Sequence, residues 1–139
     1  MDSFKINKIY SDGYERWVQA KDCTSTNNYW FHFIQYDEYL ENNEISEKLK
    51  IGDIIKGTLK IDLVTKYEIV TTNSQFIQSI DRSSNITAIG QVKKIVDTNI
   101  LILSVNNLNK NILVEFERDA IVNVGEIIKI NGSLEFEVD

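Results

Sequence analysis

The sequence predicts a mainly β chain. Two similar, small antiparallel barrel-like halves are expected, or one sandwich or barrel that uses every strand, with a short helix near 37–49. Three observations carry this. The block Gly52-Asp53-Ile54-Ile55-Lys56 returns as Gly125-Glu126-Ile127-Ile128-Lys129. Each copy runs into an alternating segment: Ile55, Gly57, Leu59, Ile61 and Leu63 oppose Lys56, Thr58, Lys60 and Asp62. In the second copy Ile128, Ile130, Leu134, Phe136 and Val138 oppose Lys129, Asn131, Ser133, Glu135 and Glu137. Alternation of period two puts one face of a strand in the core and the other in water. Finally, further strand candidates succeed one another with turn residues between them.

Residues 4–10 and 14–21 read as a hairpin around Ser11-Asp12-Gly13, where Asp-Gly supplies a tight reversal. Residues 28–36 form an aromatic strand. Trp30, His32, Ile34 and Tyr36 lie on one face, and Tyr29, Phe31 and Phe33 on the other. A strand apolar on both faces is expected to be covered on both sides. Residues 37–49 break the alternation. Ile45 and Leu49 stand four apart, the spacing of a short helix. The repeat strand 53–63 comes next, with 66–70 as a partner and 75–80 as a further extended piece. Beyond the polar stretch 81–85 come strands near 86–96, 99–105, 110–117 and 125–138. Asp97 to Asn99 and Asn106 to Asn109 form the turns between them, since asparagine tolerates left-handed backbone. Gly132 marks a bulge or bend in the last segment. The halves are therefore expected at 1–80 and 86–139, joined by a linker at 81–85.

The order of the first half resembles an OB-fold, a five-stranded barrel. Strands near 4–10, 14–21 and 28–36 precede the helical segment, and 53–63 and 66–70 come after it. In the second half, 118–124 leaves too little room for a helix. The resemblance is one of architecture and implies no specific motif.

With 139 residues and 42% apolar content, the chain is long enough for a core without metals or disulfides. The net charge is −6 and evenly spread: residues 1–70 carry 12 acids against 9 bases, and residues 71–139 carry 9 against 6. Nucleic-acid affinity draws on basic groups that release phosphate counterions, so the sign of the field counts against that partner. It favours a basic protein partner. Cys23 is the sole cysteine, which excludes an internal disulfide. No secretory leader is visible at the N-terminus, and the apolar runs, such as Ile100 to Leu103, are far too short to span a bilayer. A cytoplasmic protein with no membrane association is expected. The wealth of isoleucine, lysine and asparagine, with no proline, hints at a bacterial source.

Reactive constellations are missing. His32 is the only histidine, and with one cysteine no zinc set can be assembled from the usual ligands. No Gly-rich phosphate loop or EF-hand spacing occurs. Asp37-Glu38 and Glu115/Glu117 read as solvated acids rather than a catalytic pair. Neither enzymatic activity, a metal nor a cofactor is expected.

What remains concerns binding. Residues 1–70 hold 11 of the 14 aromatics, including every Trp and Tyr. Tyrosine and tryptophan are favoured interface anchors because they offer area with a polar handle. The candidate partner-binding residues are Tyr10, Asp12 and Tyr14 at the hairpin, and Tyr36, Asp37, Glu38, Tyr39, Glu41, Glu44 and Glu47 in the acidic run. The expected function is a non-catalytic protein-binding module, monomeric, engaging a basic protein such as a toxin. In general character such a chain is similar to the immunity proteins that bacteria make against basic nuclease or other toxins, which implies inhibition by occlusion. The alternative is an OB-type single-stranded nucleic-acid binder. It would stack bases on Trp17, Trp30, Tyr29 and Phe31, with Lys56, Lys60, Lys93 and Lys94 beside them.

Overall fold

A computed structural model describes residues 2–42, 44–108 and 111–139. Asn43 of the expected helix, Asn109 of the expected asparagine turn and Lys110 at the start of the expected 110–117 strand lie outside the described residues. The protein is all-β. Its strands are β1 (Asp2–Asp12), β2 (Glu15–Asp22), β3 (Asn28–Ile34), β4 (Ile54–Val64), β5 (Tyr67–Ile69), β6 (Gln75–Ile77), β7 (Asn85–Asp97), β8 (Ile100–Val105), β9 (Ile112–Phe116) and β10 (Ile127–Val138).

The chain forms two compact units. The first comprises Met1–Thr58, Ile80–Ser84 and Glu135–Asp139, and the second Leu59–Ser79 and Asn85–Leu134. Each repeat strand thus gives residues to both units.

In the first unit β1 pairs antiparallel with β2 and with the start of β4, and β2 pairs antiparallel with β3. β3 meets the end of β10 in parallel, with His32 registered to Glu135. β10 in turn neighbours β4, and the Asp139 N–H donates to the Lys56 carbonyl at 3.1 Å. The circuit β1-β2-β3-β10-β4 returns to β1. The inward side chains of these strands form an aromatic core: Phe31 stacks on Phe136 at 4.9 Å, and Phe4 meets both edge-on at 5.3 and 5.7 Å. Gly57 is the tight point. A Cβ there would stand 2.0 Å from the Glu137 carbonyl oxygen, so only glycine lets the two strands approach.

In the second unit the same plan recurs. β7 pairs antiparallel with β8 and with the start of β10, β8 pairs with β9, and β9 meets the end of β4 in parallel. β5 adds to β10 and β6 to β7. Ile61, Val64, Val92, Leu101, Leu103, Val114, Ile128 and Leu134 are fully buried in this unit. In both units a repeat strand begins antiparallel to the first strand, and the other repeat strand ends parallel to the third. This explains why the repeated block includes its glycine. Gly52 and Gly125 have φ of 95° and 96°, a left-handed turn that launches each long strand.

Three expectations are corrected. The helix near 37–49 is absent among the described residues, where turns, bends and one bridge residue stand instead. The Glu38, Glu44 and Ser46 side chains capture amides that a helix would need. The alternation of β4 breaks at its end. Leu63, at φ 59°, is exposed and Val64 is buried in its place, where the pairing with β9 shifts register. In β10, Ser133 is buried beside Leu134, and the strand continues through Gly132 as one element.

Candidate functional site

The hairpin β1–β2 and the irregular segment after β3 come together in the first unit. Gly13 and Leu40 form an isolated antiparallel bridge, with N–H···O distances of 2.7 and 3.0 Å. The Gln35 N–H donates to the Tyr14 carbonyl at 2.8 Å. Leu40 and Leu49 are buried and hold the segment down.

Beneath it lies Arg16, fully buried. It alternates inward with Val18 and Ala20 on β2. Its guanidinium donates to the carbonyls of Gly13 (2.8 Å), Glu15 (3.0 Å) and Glu38 (2.5 Å), and reaches the Glu38 carboxylate at 3.4 Å. Its Nε has no partner. A buried cation in an apolar unit is tolerated only when paired and hydrogen-bonded, so Arg16 fixes both the hairpin tip and the start of the acidic run.

Glu38 organises the rest of that run. Its carboxylate accepts from the Ser46 hydroxyl and from the Glu47 N–H at 3.0 Å. The Ser46 oxygen accepts from the Lys48 and Leu49 amides at 3.1 and 2.9 Å. Glu44 accepts from the Glu41 N–H at 2.9 Å. Side chains that satisfy local amides compete with helix, and here they win. The Ser46 hydroxyl, then the Glu47 amide and Arg16, hold the Glu38 carboxyl below its usual 4.5 against partial burial. Asp37 accepts from Lys48 (2.7 Å) and Gln35 (2.5 Å), which lower its pKa, the Lys48 contact foremost; Asp37 in turn raises that of Lys48.

On this framework Tyr36, Tyr39 and Tyr14 are 81%, 61% and 47% exposed, and Tyr14 meets Tyr39 edge-on at 5.1 Å. Asp12, Asp37, Glu41, Glu44 and Glu47 are exposed, and Tyr10 is half-buried. Glu38 sits apart in role, held inward by Arg16.

Sequence reasoning missed a neighbouring row on the outward face of the same strands. Tyr10 registers with Trp17, Trp17 with His32, and His32 with Glu135. The rings touch in series, Tyr10–Trp17 at 5.5 Å and Trp17–His32 at 5.1 Å. His32 contacts Glu135 through Nδ1 at 2.7 Å and Glu15 through Nε2 at 3.2 Å. Burial pulls the imidazole pKa down, but the hydrogen bond and charge of Glu135, reinforced by Glu15, outweigh it and leave it above 6.5. The signal was the alternation: Trp17 has odd parity on β2, opposite to Arg16 and Val18.

Of the rings expected to stack bases, Tyr29, Phe31 and Trp30 are buried. Lys60 lies within reach of Asp62 and Glu115 at 3.6 and 3.7 Å. Cys23 is exposed, its amide bonded to the Ser3 carbonyl. Among the described residues no group of His, Cys, Asp and Glu has the geometry to hold a metal, and no helix is long and apolar enough to cross a membrane. No family model, curated protein or solved structure matches the chain.

Proposed function

We propose that this is a non-catalytic, cytoplasmic binding protein whose acidic, tyrosine-bearing face docks a basic protein and blocks it by occlusion, as an immunity protein would block a toxin or nuclease. One observation carries the reading. Exposed Tyr14 and Tyr39 touch across the Gly13–Leu40 bridge, in a hairpin and an acidic segment that also expose Tyr36, Asp12, Glu41, Glu44 and Glu47, while Arg16 and Lys48 are engaged by Glu38 and Asp37. Amphipathic rings set among acids suit a cationic surface: the charge steers encounter and the rings supply contact area.

The face is also held by backbone bridging and a buried arginine rather than left as free loop, and preorganisation lowers the ordering cost of association. Nucleic acid is the weaker match, because three of the four candidate stacking rings are buried. Oligonucleotide titration at low salt should leave tryptophan fluorescence unchanged.

The test is affinity capture with the wild type and with a Glu41→Lys/Glu44→Lys/Glu47→Lys variant as baits. Glu38 is left intact because reversing it would strand Arg16. A basic protein held by the wild type and released by the variant is expected. Identical captured sets would show that this surface is not the one used.

A further inference from the structure

The outward row of the first unit contains an internal example of what it can bind. The Arg82 guanidinium lies over the Tyr10 ring, 5.5 Å from its centroid. A cation at that distance is attracted by the ring quadrupole. The next ring along, Trp17, is half-buried. It touches His32, which the carboxylates of Glu15 and Glu135 contact from either side. Glu15 itself is about half exposed. Indole gives the strongest cation–π surface of the aromatic side chains. A planar guanidinium can stack on it while its fork of N–H donors reaches a carboxylate, which a lysine ammonium cannot do in the same geometry.

We propose that the basic partner anchors an arginine side chain on Trp17, with its guanidinium directed to the carboxylates that flank His32. This names the partner's chemistry and rests on the docking of a basic protein at the acidic face. Tyr10 with Arg82 is the occupied version of the position, and Trp17 beside the half-exposed Glu15 is the version offered to the partner. The acidic tyrosine face then supplies the surrounding contact, and arginine content rather than charge alone decides which basic surfaces bind.

The experiment compares deca-arginine and deca-lysine peptides by calorimetry on the full chain. Deca-arginine is expected to bind about tenfold more tightly, a difference of about 1.4 kcal/mol, within the range of a partly desolvated cation–π contact. Trp17→Leu should reduce deca-arginine affinity to that of deca-lysine and leave deca-lysine unchanged. Should Trp17→Leu fail to fold, Glu15→Gln, on a more exposed side chain, should still narrow the preference several-fold while the variant remains folded by circular dichroism. Equal affinity for the two peptides, a preference that survives these substitutions, or no binding of deca-arginine would overturn the proposal. Equal binding of both that disappears in the Glu41/Glu44/Glu47 reversal would sink the arginine anchor while leaving the docking reading in place.

Discussion

Arg16 and His32 are two cation-forming residues that the first unit holds in opposite ways. Arg16 is wholly buried and bound mostly by carbonyl oxygens, with Glu38 as its counter-ion. Removing that counter-ion leaves a cation with nowhere to discharge. Glu38→Gln is expected to destabilise the fold by about 1–3 kcal/mol, read as a lower urea midpoint at unchanged slope. Because Glu38 has its pKa held down, its contribution is complete above 4.5 and is lost as pH falls through the folded value. The 38–49 segment should therefore loosen in acid before the strands do, which amide exchange of Leu49 would register. His32 carries the opposite sign. Its pKa is raised, so its contribution is complete below 6.5 and disappears as pH climbs through the folded value. The Tm of the wild type should fall between pH 6 and pH 9, and His32→Gln should flatten that slope. An unchanged slope in the variant would mean that the contacts to Glu15 and Glu135 contribute nothing.

Among the elements, the two long strands were the most legible, because each needs only period two and a launching glycine. The paired φ values of Gly52 and Gly125 give that repeated glycine its physical reason. Less legible was where these strands go. That β4 ends beside β9 and β10 beside β3, both in parallel, depends on long-range pairing that no local window contains. The expected helix shows the complementary failure. Ile45 and Leu49 have helical spacing, yet Ile45 is exposed and only Leu49 is buried. What decided the segment was Ser46 and Glu38 capturing amides, a set of contacts running from Glu38 to Leu49 and anchored on an arginine from another strand. Gly57 was legible only as a member of the apolar face. Its close approach to Glu137 leads to a sharp expectation. Gly57→Ala should cost about 1–3 kcal/mol through overpacking in thermal or urea unfolding, whereas Gly125→Ala meets no atom within 4 Å and bears only the strain of its positive φ.

At the scale of the whole molecule, the acidic, aromatic character was legible in residues 1–70, and the first unit brings Gly13 and Tyr14 of the hairpin tip against Tyr39 and Leu40 of the acidic run. The juxtaposition of Tyr14 with Tyr39 could not be read from spacing, since it depends on the Gly13–Leu40 bridge. Trp17 was legible as an aromatic but not as one member of a row, because its neighbours come from three other strands. The net charge of −6 makes a further expectation: affinity for a basic partner should fall steeply with salt. Raising the salt concentration during calorimetric titration, from about one Debye length of 14 Å to about 6 Å, would reveal this, and the Glu41/Glu44/Glu47 reversal should remove most of the dependence. On the proposed reading, binding is confined to this face of the first unit. The most direct test of that claim is a residue-by-residue map of amide chemical shifts during titration with deca-arginine. Shifts concentrated at residues 10–17 and 32–47 are expected; shifts concentrated instead at residues 85–134, or none at all, would contradict the claim.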